Sequence, residues 1–488
     1  MTPSDFIVIR RTLAALPSDH DASGQHRPTV DEIFTPEQHA NALDPNTPVV
    51  VGARGTGKSF WAGVLEHDDT RAVAALAYPN LGLDRLIVRP GYTGFAGDGA
   101  VTSKIIDARV PIDEENETAS DFWLAVILRA TKSALNPNDE IATIRELMDQ
   151  YADPEDWYKE IKSLDERLTA SGRTLLVTFD ALDTISREWK RSSLLIDALF
   201  EVIWSLRARR SIRAKVFIRP EQLNDETLRF VELPKLRSGR VELEWTQVEL
   251  YGLLFWRLAA VSGNDGTSFS NLASQIGAPI PADFATNRRR WFLIIDPDVQ
   301  RNAMIQMAGT YMGSNKRKGG TYDWPYNHLG DAKGKVTPRS FIKLFVEAAN
   351  FGQAPTDQVI SADGIRHGLR EASKVRVDQL GVEYQWVKRA LAPLAGLTVP
   401  CTLDAISDRW TETNTIKLIM DAAANPDTGF LPPFPPRSKG DRNELLATAM
   451  ERIGLFSYRA DNRIDIPDLF RVAALMLKRG GTTPTQKR

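Results

Sequence analysis

The sequence predicts an α/β core, in which a parallel β-sheet is flanked by helices, followed by a helical region and a C-terminal α+β module. Three observations predict this fold class. Short apolar runs alternate with helical patterns, as in parallel sheets. One of these runs, residues 49–51, leads through a glycine-rich turn into a helix. Near the end of the chain, a helix, a hairpin and a second helix follow one another over residues 443–477.

The glycine-rich turn has the pattern of a phosphate-binding loop (P-loop). Residues 52–59 read Gly-x-x-x-x-Gly-Lys-Ser directly after the apolar run. Glycine permits backbone conformations that a Cβ would block, so N–H groups can surround a phosphate at the positive end of the following helix. We expect Lys58 to neutralise β- and γ-phosphates and the Ser59 hydroxyl to bind Mg²⁺; a chance glycine-rich turn is the alternative. The expected nucleotide-binding residues here are Gly52, Ala53, Arg54, Gly55, Thr56, Gly57, Lys58, Ser59 and Phe60.

The next segments are predicted from their local patterns. Residues 71–78 are expected to form a second strand, and residues 83–120 are expected to be rich in loops. Residues 122–134 have the spacing of an amphipathic helix. Residues 141–168 continue as helix, with an interruption near residues 153–154, where Asp precedes Pro.

A carboxylate follows the next buried strand. Residues 174–180 form a nearly continuous apolar run that ends in Asp180, the Walker B pattern. Ligands of α/β sheets bind at the carboxyl ends of the strands, so Asp180 is expected to hold Mg²⁺ through water, opposite Ser59. Asp183 lies three residues later. A role in the site and a favourable charge at a helix N-terminus explain it equally well.

Two arginines have positions that suit phosphate recognition. Arg219 ends the strand predicted over residues 215–218, and it is expected to grip a γ-phosphate or to pair with a local carboxylate such as Glu221. Arg339 follows an N-cap and a proline at the start of an apolar helix, where a cation is unfavourable for the helix dipole. A bound phosphate or a carboxylate partner would compensate this unfavourable interaction of Arg339 with the helix dipole.

Composition excludes several classes of protein. The 61 basic and 63 acidic residues give a net charge of −2, which supplies no global argument for nucleic-acid or membrane binding. Cys401 is the only cysteine, so a disulfide framework is excluded and a cytoplasmic location is expected. The six histidines lack ligand spacing, which argues against a zinc enzyme. No apolar run approaches the ~18 residues of a membrane span, so we expect no membrane partner.

Together these motifs resemble the STAND and the neighbouring AAA+ and KAP-like groups of P-loop ATPases. Residues 52–59 match Walker A, and residues 179–183 are similar to Walker B with a second carboxylate. Arg219 matches the arginine at the end of the sensor-1 strand, and residues 338–340 are similar to the lid motif whose arginine senses the nucleotide. The resemblance implies lead-in helices over residues 1–45, a P-loop nucleotide-binding domain over 46–235, a helical lid over 236–355 and a helical plus winged-helix-like domain over 356–488.

The resemblance also implies a chemistry. ATP and Mg²⁺ are the expected cofactors, Ser59 and Asp180 the metal ligands, and Arg339 a further nucleotide contact. Ala181 stands where many AAA+ members place a catalytic glutamate, so Asp183 becomes the candidate general base. The expected catalytic residues are Lys58, Asp180, Asp183 and Arg219.

Two functions from different classes follow, with a third possibility beside them. The first is a STAND-type ATPase switch in bacterial signalling or antiphage defence, with a sensor or effector protein acting in trans and with assembly into a homo-oligomer or hetero-complex. The second is a DNA-binding loader or initiator ATPase that uses the winged helix. The third is a nucleotide-stabilised scaffold without turnover.

Overall fold

The computed structural model describes residues 1–18, 27–95, 100–186, 188–223, 228–261, 264–282, 291–425 and 429–484. The helices are α1 Pro3–Ala14, α2 Ala40–Leu43, α3 Lys58–Glu66, α4 Asp68–Ala77, α5 Ser103–Arg109, α6 Glu115–Leu135, α7 Ile144–Gln150, α8 Pro154–Ala170, α9 Trp189–Ser205, α10 Pro220–Leu223, α11 Leu233–Ser238, α12 Gln247–Ala259, α13 Asn264–Gln275, α14 Phe292–Ile295, α15 Pro297–Ala308, α16 Asp323–Leu329, α17 Pro338–Asn350, α18 Ala362–Glu383, α19 Val387–Leu391, α20 Leu403–Glu412, α21 Thr415–Ala423, α22 Arg442–Arg452 and α23 Asp468–Arg471. The strands are β1 Val49–Val51, β2 Leu86–Tyr92, β3 Thr174–Phe179, β4 Ile212–Ile218, β5 Val241–Glu242, β6 Thr398–Val399, β7 Ser457–Tyr458, β8 Ile464–Asp465 and β9 Leu477–Lys478.

The chain forms two compact units. One is continuous and comprises His20–Leu243; the other combines Met1–Asp19 with Glu244–Arg488. We call them the sheet unit and the helical unit, because the five strands β1–β5 belong to the first and most of the helices after α11 belong to the second. The finer domain boundaries expected at residues 45, 235 and 355 stay predictions.

The sheet unit contains a five-stranded parallel sheet in the order β2-β3-β4-β1-β5. Its central strands, β1, β3 and β4, are buried on both faces. Val49 and Val51 of β1 belong to one hydrophobic core, together with residues of α6 and α9. Val50 points to a second core, which includes residues of α3 and α4. The sheet of parallel strands between two helical layers confirms the fold class predicted for this part of the chain.

Two local predictions in the sheet unit are wrong. Residues 71–78 are predicted as a strand, but residues 71–77 belong to α4 and Tyr78 follows its last turn. The segment is rich in alanine, the best helix former, and Asp68 and Asp69 favour the start of a helix. Together these helix preferences outweigh the strand preference of the β-branched Val73. The true second strand, β2, lies in the segment predicted as loop-rich, and it contains Pro90. β2 is an edge strand, where proline is tolerated.

The helical unit ends in the predicted order of helix, hairpin and helix. α22 is followed by the antiparallel pair β7–β8, as expected for a winged-helix-like α+β module. The last helix is shorter than the predicted residues 469–477, since α23 ends at Arg471 and Leu475 has a φ of 56°. The chain then forms β9, which pairs with β6 in parallel. Buried Arg471 stabilises this reversal by donating hydrogen bonds to the carbonyls of Met476 and Thr482, 2.8 and 2.9 Å away.

The longest helices, α6 and α18, have 21 and 22 residues. Both carry charged side chains along their length, including Glu115 and Lys132 in α6. Across the residues that the structure describes, no helix is both long enough and apolar enough to cross a bilayer.

Candidate nucleotide site

The P-loop leaves the carboxyl end of β1 and enters α3. The Gly52 amide donates to the Ile218 carbonyl at 3.1 Å, which ties the start of the loop to the end of β4. Gly55 and Gly57 have φ values of 84° and 103°, in the region that favours glycine. A Cβ on Gly52 would lie 2.5 Å from Thr56 Oγ1. The backbone is therefore folded into a cradle that side chains at these positions would fill, which fits a phosphate-binding loop.

Lys58 begins α3 and turns its side chain into this loop. Its ammonium donates to the carbonyls of Gly52 and Ala53, with Nζ···O distances of 2.7 and 3.2 Å. Burial lowers the pKa of Lys58, and the nearby charge of Arg219 lowers it further, while Asp180 and other carboxylates oppose the shift. An ammonium that is buried beside a second cation has a strong electrostatic preference for an anion.

Asp180 and Ser59 meet, as the sequence predicts. Asp180 follows β3 directly and is 7% exposed. The Ser59 hydroxyl hydrogen-bonds its carboxylate. Burial raises the pKa of Asp180, and the Ser59 hydrogen bond and the Lys58 charge oppose that rise. A hydroxyl and a carboxylate on adjacent chain segments are oxygen donors of the kind that Mg²⁺ accepts.

Strand register explains why these residues meet. Val216 of β4 pairs with Val49 of β1 on one side and with Phe179 of β3 on the other. The three strands therefore end within a few residues of one another at the same edge of the sheet. Loops that leave this edge carry the P-loop, Asp180 and Arg219, which matches the rule that α/β sheets bind ligands at the carboxyl ends of their strands.

Arg219 and Asp183 form an ion pair at this edge. Arg219 Nη2 lies 2.6 Å from Asp183 Oδ2, and the two side chains are 13% and 38% exposed. From the sequence, Arg219 is expected to bind a phosphate or a local carboxylate such as Glu221. Asp183 is expected either to belong to the site or to provide a favourable charge at a helix N-terminus. The structure places Asp183 on a short 3₁₀ helix, Leu182–Thr184, and pairs it with Arg219.

The turn between Asp180 and Asp183 has an uncommon backbone conformation. Ala181 has a φ of 54°, in the left-handed region. Its carbonyl accepts a hydrogen bond from Thr184 Oγ1 at 2.8 Å, and Thr184 Oγ1 also lies 3.0 Å from the Tyr92 hydroxyl. This turn aims Asp183, rather than the side chain at position 181, at Arg219.

Glu66 is a residue of this region that sequence reasoning missed. At the end of α3, its Oε1 accepts a hydrogen bond from Thr178 Oγ1 at 2.8 Å. Burial, together with the nearby Asp180 carboxylate and against the Thr178 hydrogen bond, raises the pKa of Glu66 to about 7. The spacing could have revealed it, because Glu66 lies seven residues after Ser59 and therefore on the same face of α3.

Arg339 belongs to the helical unit, at the first turn of α17. The predicted N-cap is present, since Thr337 accepts a hydrogen bond from the Ser340 amide at 3.3 Å. The contact between Arg339 and a nucleotide stays a prediction. Among the described residues, no group of three or more His, Cys, Asp or Glu side chains is placed to hold a metal ion. A cation in the P-loop site would therefore be held by Ser59, Asp180, water and phosphate oxygens.

Comparisons with known proteins give no family. No protein-family model matches the chain, and no curated protein matches it. A search of solved structures finds the ORC2 protein of Aeropyrum pernix, in ADPNP and ADP complexes, at 13% identity, 91% coverage of this chain, 92% coverage of that chain and a TM-score of 0.33. It also finds Cdc6p of Pyrobaculum aerophilum at 11% identity, with 94% and 96% coverage and a TM-score of 0.31.

Similarity at this level carries no argument about function. What this chain shows by its own geometry is an α/β P-loop core, in which Lys58, Ser59, Asp180, Asp183 and Arg219 meet at the carboxyl edge of a parallel sheet.

Proposed function

We propose that the protein is a Mg²⁺-dependent ATPase switch with an AAA+-like P-loop core. The observation that supports this proposal is the convergence of a buried lysine, a paired serine and aspartate, and the Arg219–Asp183 ion pair at one edge of the sheet. These are the parts that phosphoryl transfer to water requires: a phosphate cradle, metal ligands, a cation for the γ-phosphate and a base.

Binding uses the loop backbone and Lys58. N–H groups of the P-loop and the N-terminus of α3 receive the β-phosphate, and the Lys58 ammonium exchanges its carbonyl partners for β- and γ-phosphate oxygens. Ser59 Oγ and the Asp180 carboxylate would hold the Mg²⁺. When it is bound, Mg²⁺ neutralises charge on the phosphate oxygens.

The ion pair links recognition of the γ-phosphate to chemistry. A guanidinium grips a phosphate bidentately, so a γ-phosphate competes with Asp183 for Arg219. When the guanidinium moves to the γ-phosphate, the Asp183 carboxylate oxygens become available to the attacking water. Asp183 then accepts the proton of the attacking water. ATP would open the pair, whereas ADP, which lacks the γ-phosphate, would leave it closed.

We further propose a STAND-type role for this switch, as the sequence resemblance implies. In this role, Arg339 of the helical unit contacts the γ-phosphate, and the nucleotide shifts an equilibrium between two conformations. The output would be an altered interaction with a sensor or effector protein in trans, or assembly into an oligomer, in bacterial signalling or antiphage defence.

The substitution Lys58→Ala tests the proposal. It removes the cation that the buried loop supplies, so ATP affinity should fall at least tenfold and phosphate release should fall to background. Lys104→Ala, which removes an exposed lysine of α5, is the control and should leave both unchanged. Affinity is measured by titration with a fluorescent ATP analogue and turnover by phosphate release. Unchanged affinity and turnover in Lys58→Ala would contradict the proposal.

A DNA-binding ATPase is the second candidate, favoured by the helix–hairpin–helix at the end of the chain. The charged residues of this C-terminal module argue against DNA binding. Arg471 is fully buried against Asp468, and Lys478 lies 3.0 Å from Asp465, so neither is displayed to a phosphate backbone. Arg479 is exposed. A titration with duplex DNA across salt concentrations decides: DNA binding at ~50 mM salt that weakens steeply as salt is added would favour this candidate.

A further inference from the structure

The helical unit contains a cavity of about 1000 Å³. Five segments line it: residues 317–320, which include the end of the short 3₁₀ helix Lys316–Lys318, the helix α16, Phe351 directly after α17, the first half of α18 and residues 480–483. All of them belong to the helical unit, whereas the P-loop belongs to the sheet unit. The cavity is at the upper end of the size range of small-molecule sites, which is ~300–1,000 Å³.

The charges that line this cavity are predominantly positive. Its cations are Arg317, Lys318, Arg366 and Arg370, and its carboxylates are Asp323 and Asp363.

Both carboxylates already have partners. Asp323 makes a two-pronged ion pair with Arg301, with N···O distances of 2.6 and 3.2 Å, and Asp363 lies 2.6 Å from Arg366. Within the described ranges, neither Arg317 nor Lys318 forms an ion pair with a carboxylate, although both side chains line the cavity. The lining therefore has a surplus of positive charge that its own acids do not neutralise.

Arg370 adds a partly desolvated cation to this set. Its Nε donates to the Thr483 carbonyl at 3.0 Å and its Nη2 to Thr483 Oγ1 at 3.5 Å, which leaves the other guanidinium N–H groups for further acceptors. Burial lowers the pKa of Arg370, so the guanidinium is less hydrated than a surface arginine. A desolvated guanidinium binds anions more strongly than a solvated one.

The remainder of the lining suits a flat ring and a close approach to the backbone. Trp324 and His328 stack with ring centroids 3.9 Å apart, and Phe351 supplies another aromatic ring. Burial lowers the pKa of His328, so its imidazole is neutral near pH 7 and contributes a ring without a charge. Gly319 and Gly480, which have positive φ angles, lie in the lining and bring the backbone to the surface of the cavity.

We propose that this cavity is a second ligand site, which binds a small phosphorylated molecule with a planar ring, of the nucleotide class. Arg317, Lys318 and Arg370 receive the phosphate, and the aromatic side chains receive the ring. A nucleic-acid strand has the same groups in a longer form. The enclosure of the cavity by these five segments favours the small molecule.

The test uses the full chain with Lys58→Ala, which suppresses binding at the P-loop. Fluorescently labelled AMP, the labelled dinucleotide pApA and a labelled 12-nucleotide single strand are titrated separately at ~50 mM salt. The double substitution Arg317→Gln/Lys318→Gln should weaken binding about 100-fold, since a lost charged hydrogen bond is worth about tenfold or more. Lys316→Gln is the matched control, because Lys316 lies in the same 3₁₀ helix but does not line the cavity.

Binding of either labelled nucleotide that the double substitution weakens and Lys316→Gln leaves unchanged supports the proposal. Three results would overturn it. The first is no binding of AMP or pApA at millimolar concentration. The second is an equal loss in Lys316→Gln, which indicates diffuse surface charge. The third is a strand that binds through Arg317 and Lys318 while neither AMP nor pApA binds, which assigns the surface to nucleic acid. All three substituted residues are exposed, so the variants are expected to fold.

Discussion

Replacing Asp183 with asparagine should make ATP bind more tightly and hydrolyse more slowly. The reason is the ion pair with Arg219, whose N···O distance is 2.6 Å. In the proposed switch, Asp183 competes with the γ-phosphate for the guanidinium and then acts as the base. Asparagine keeps the size of the side chain and removes both the charge and the basicity, so the two effects have opposite signs.

The magnitudes follow from the exposure of the pair. Asp183 is 38% exposed, so solvent screens the pair and its opening costs about 0.5–1 kcal/mol. A charged hydrogen bond from Arg219 to phosphate contributes about 1.5–3 kcal/mol. The difference, about 1–2 kcal/mol, is a roughly five- to thirtyfold preference for ATP over ADP. Asp183→Asn removes the opening cost, so ATP affinity should rise about two- to fivefold while ADP affinity is unchanged. Loss of a general base should lower turnover about 10²–10⁴-fold.

The assay pairs ATP and ADP titrations with single-turnover phosphate release. Asp149→Asn, at an exposed position of α7, makes the same change of charge away from the site and should change none of these values. Arg219→Ala should abolish the preference for ATP. Equal affinity changes for ATP and ADP in Asp183→Asn, or undiminished hydrolysis, would refute the coupling between the ion pair and the γ-phosphate.

Three further predictions concern single positions. Burial raises the pKa of Glu66 to about 7, so the folded chain keeps a proton that the unfolded chain releases near pH 4.5. The free energy of unfolding therefore falls as the pH rises from about 4.5 to about 7. Glu66→Gln should therefore increase the free energy of unfolding by up to ~3 kcal/mol at pH 8 but little at pH 4.5, measured by denaturant melts; an equal gain at both pH values would contradict this. Gly52→Ala should weaken ATP binding at least tenfold, because its Cβ would lie 2.5 Å from Thr56 Oγ1; binding like that of the unsubstituted chain would show that the loop adjusts freely. Arg471→Met should lower the free energy of unfolding by about 3–5 kcal/mol, because it leaves the Asp468 carboxylate buried without its cation; urea melts check this, and a loss below ~1 kcal/mol would argue against it.

The parts of the site that sequence predicted are those encoded within a few consecutive residues. The P-loop and Asp180 each follow a short buried strand directly, so a local pattern places them at the sheet edge. The meeting of Ser59 and Asp180 follows from that placement, because parallel strands end at a common edge.

The pairing of Asp183 with Arg219 could not be predicted in the same way. The two residues lie 36 positions apart, and their contact depends on the register between β3 and β4 and on the left-handed backbone of Ala181. Similarly, the edge position that permits proline in β2 is a property of the whole sheet. From local pattern alone, the sequence of β2 therefore resembles a loop, whereas the alanine-rich segment before it resembles a strand.

The discontinuous helical unit has a consequence for the order of synthesis and folding. Helix α1 packs against α13 and α17, and Arg10 donates to the Phe351 carbonyl at 2.6 Å. At ~5–20 residues per second, the 341 positions between these two residues take about 20–70 s to translate. The apolar face of α1, which includes Ile9 and Leu13, stays without its native cover during that time, while the continuous sheet unit can complete its fold. Helix α1 is therefore made long before it can be fully buried, and a nascent chain that stalls before Phe351 presents that face to chaperones and proteases.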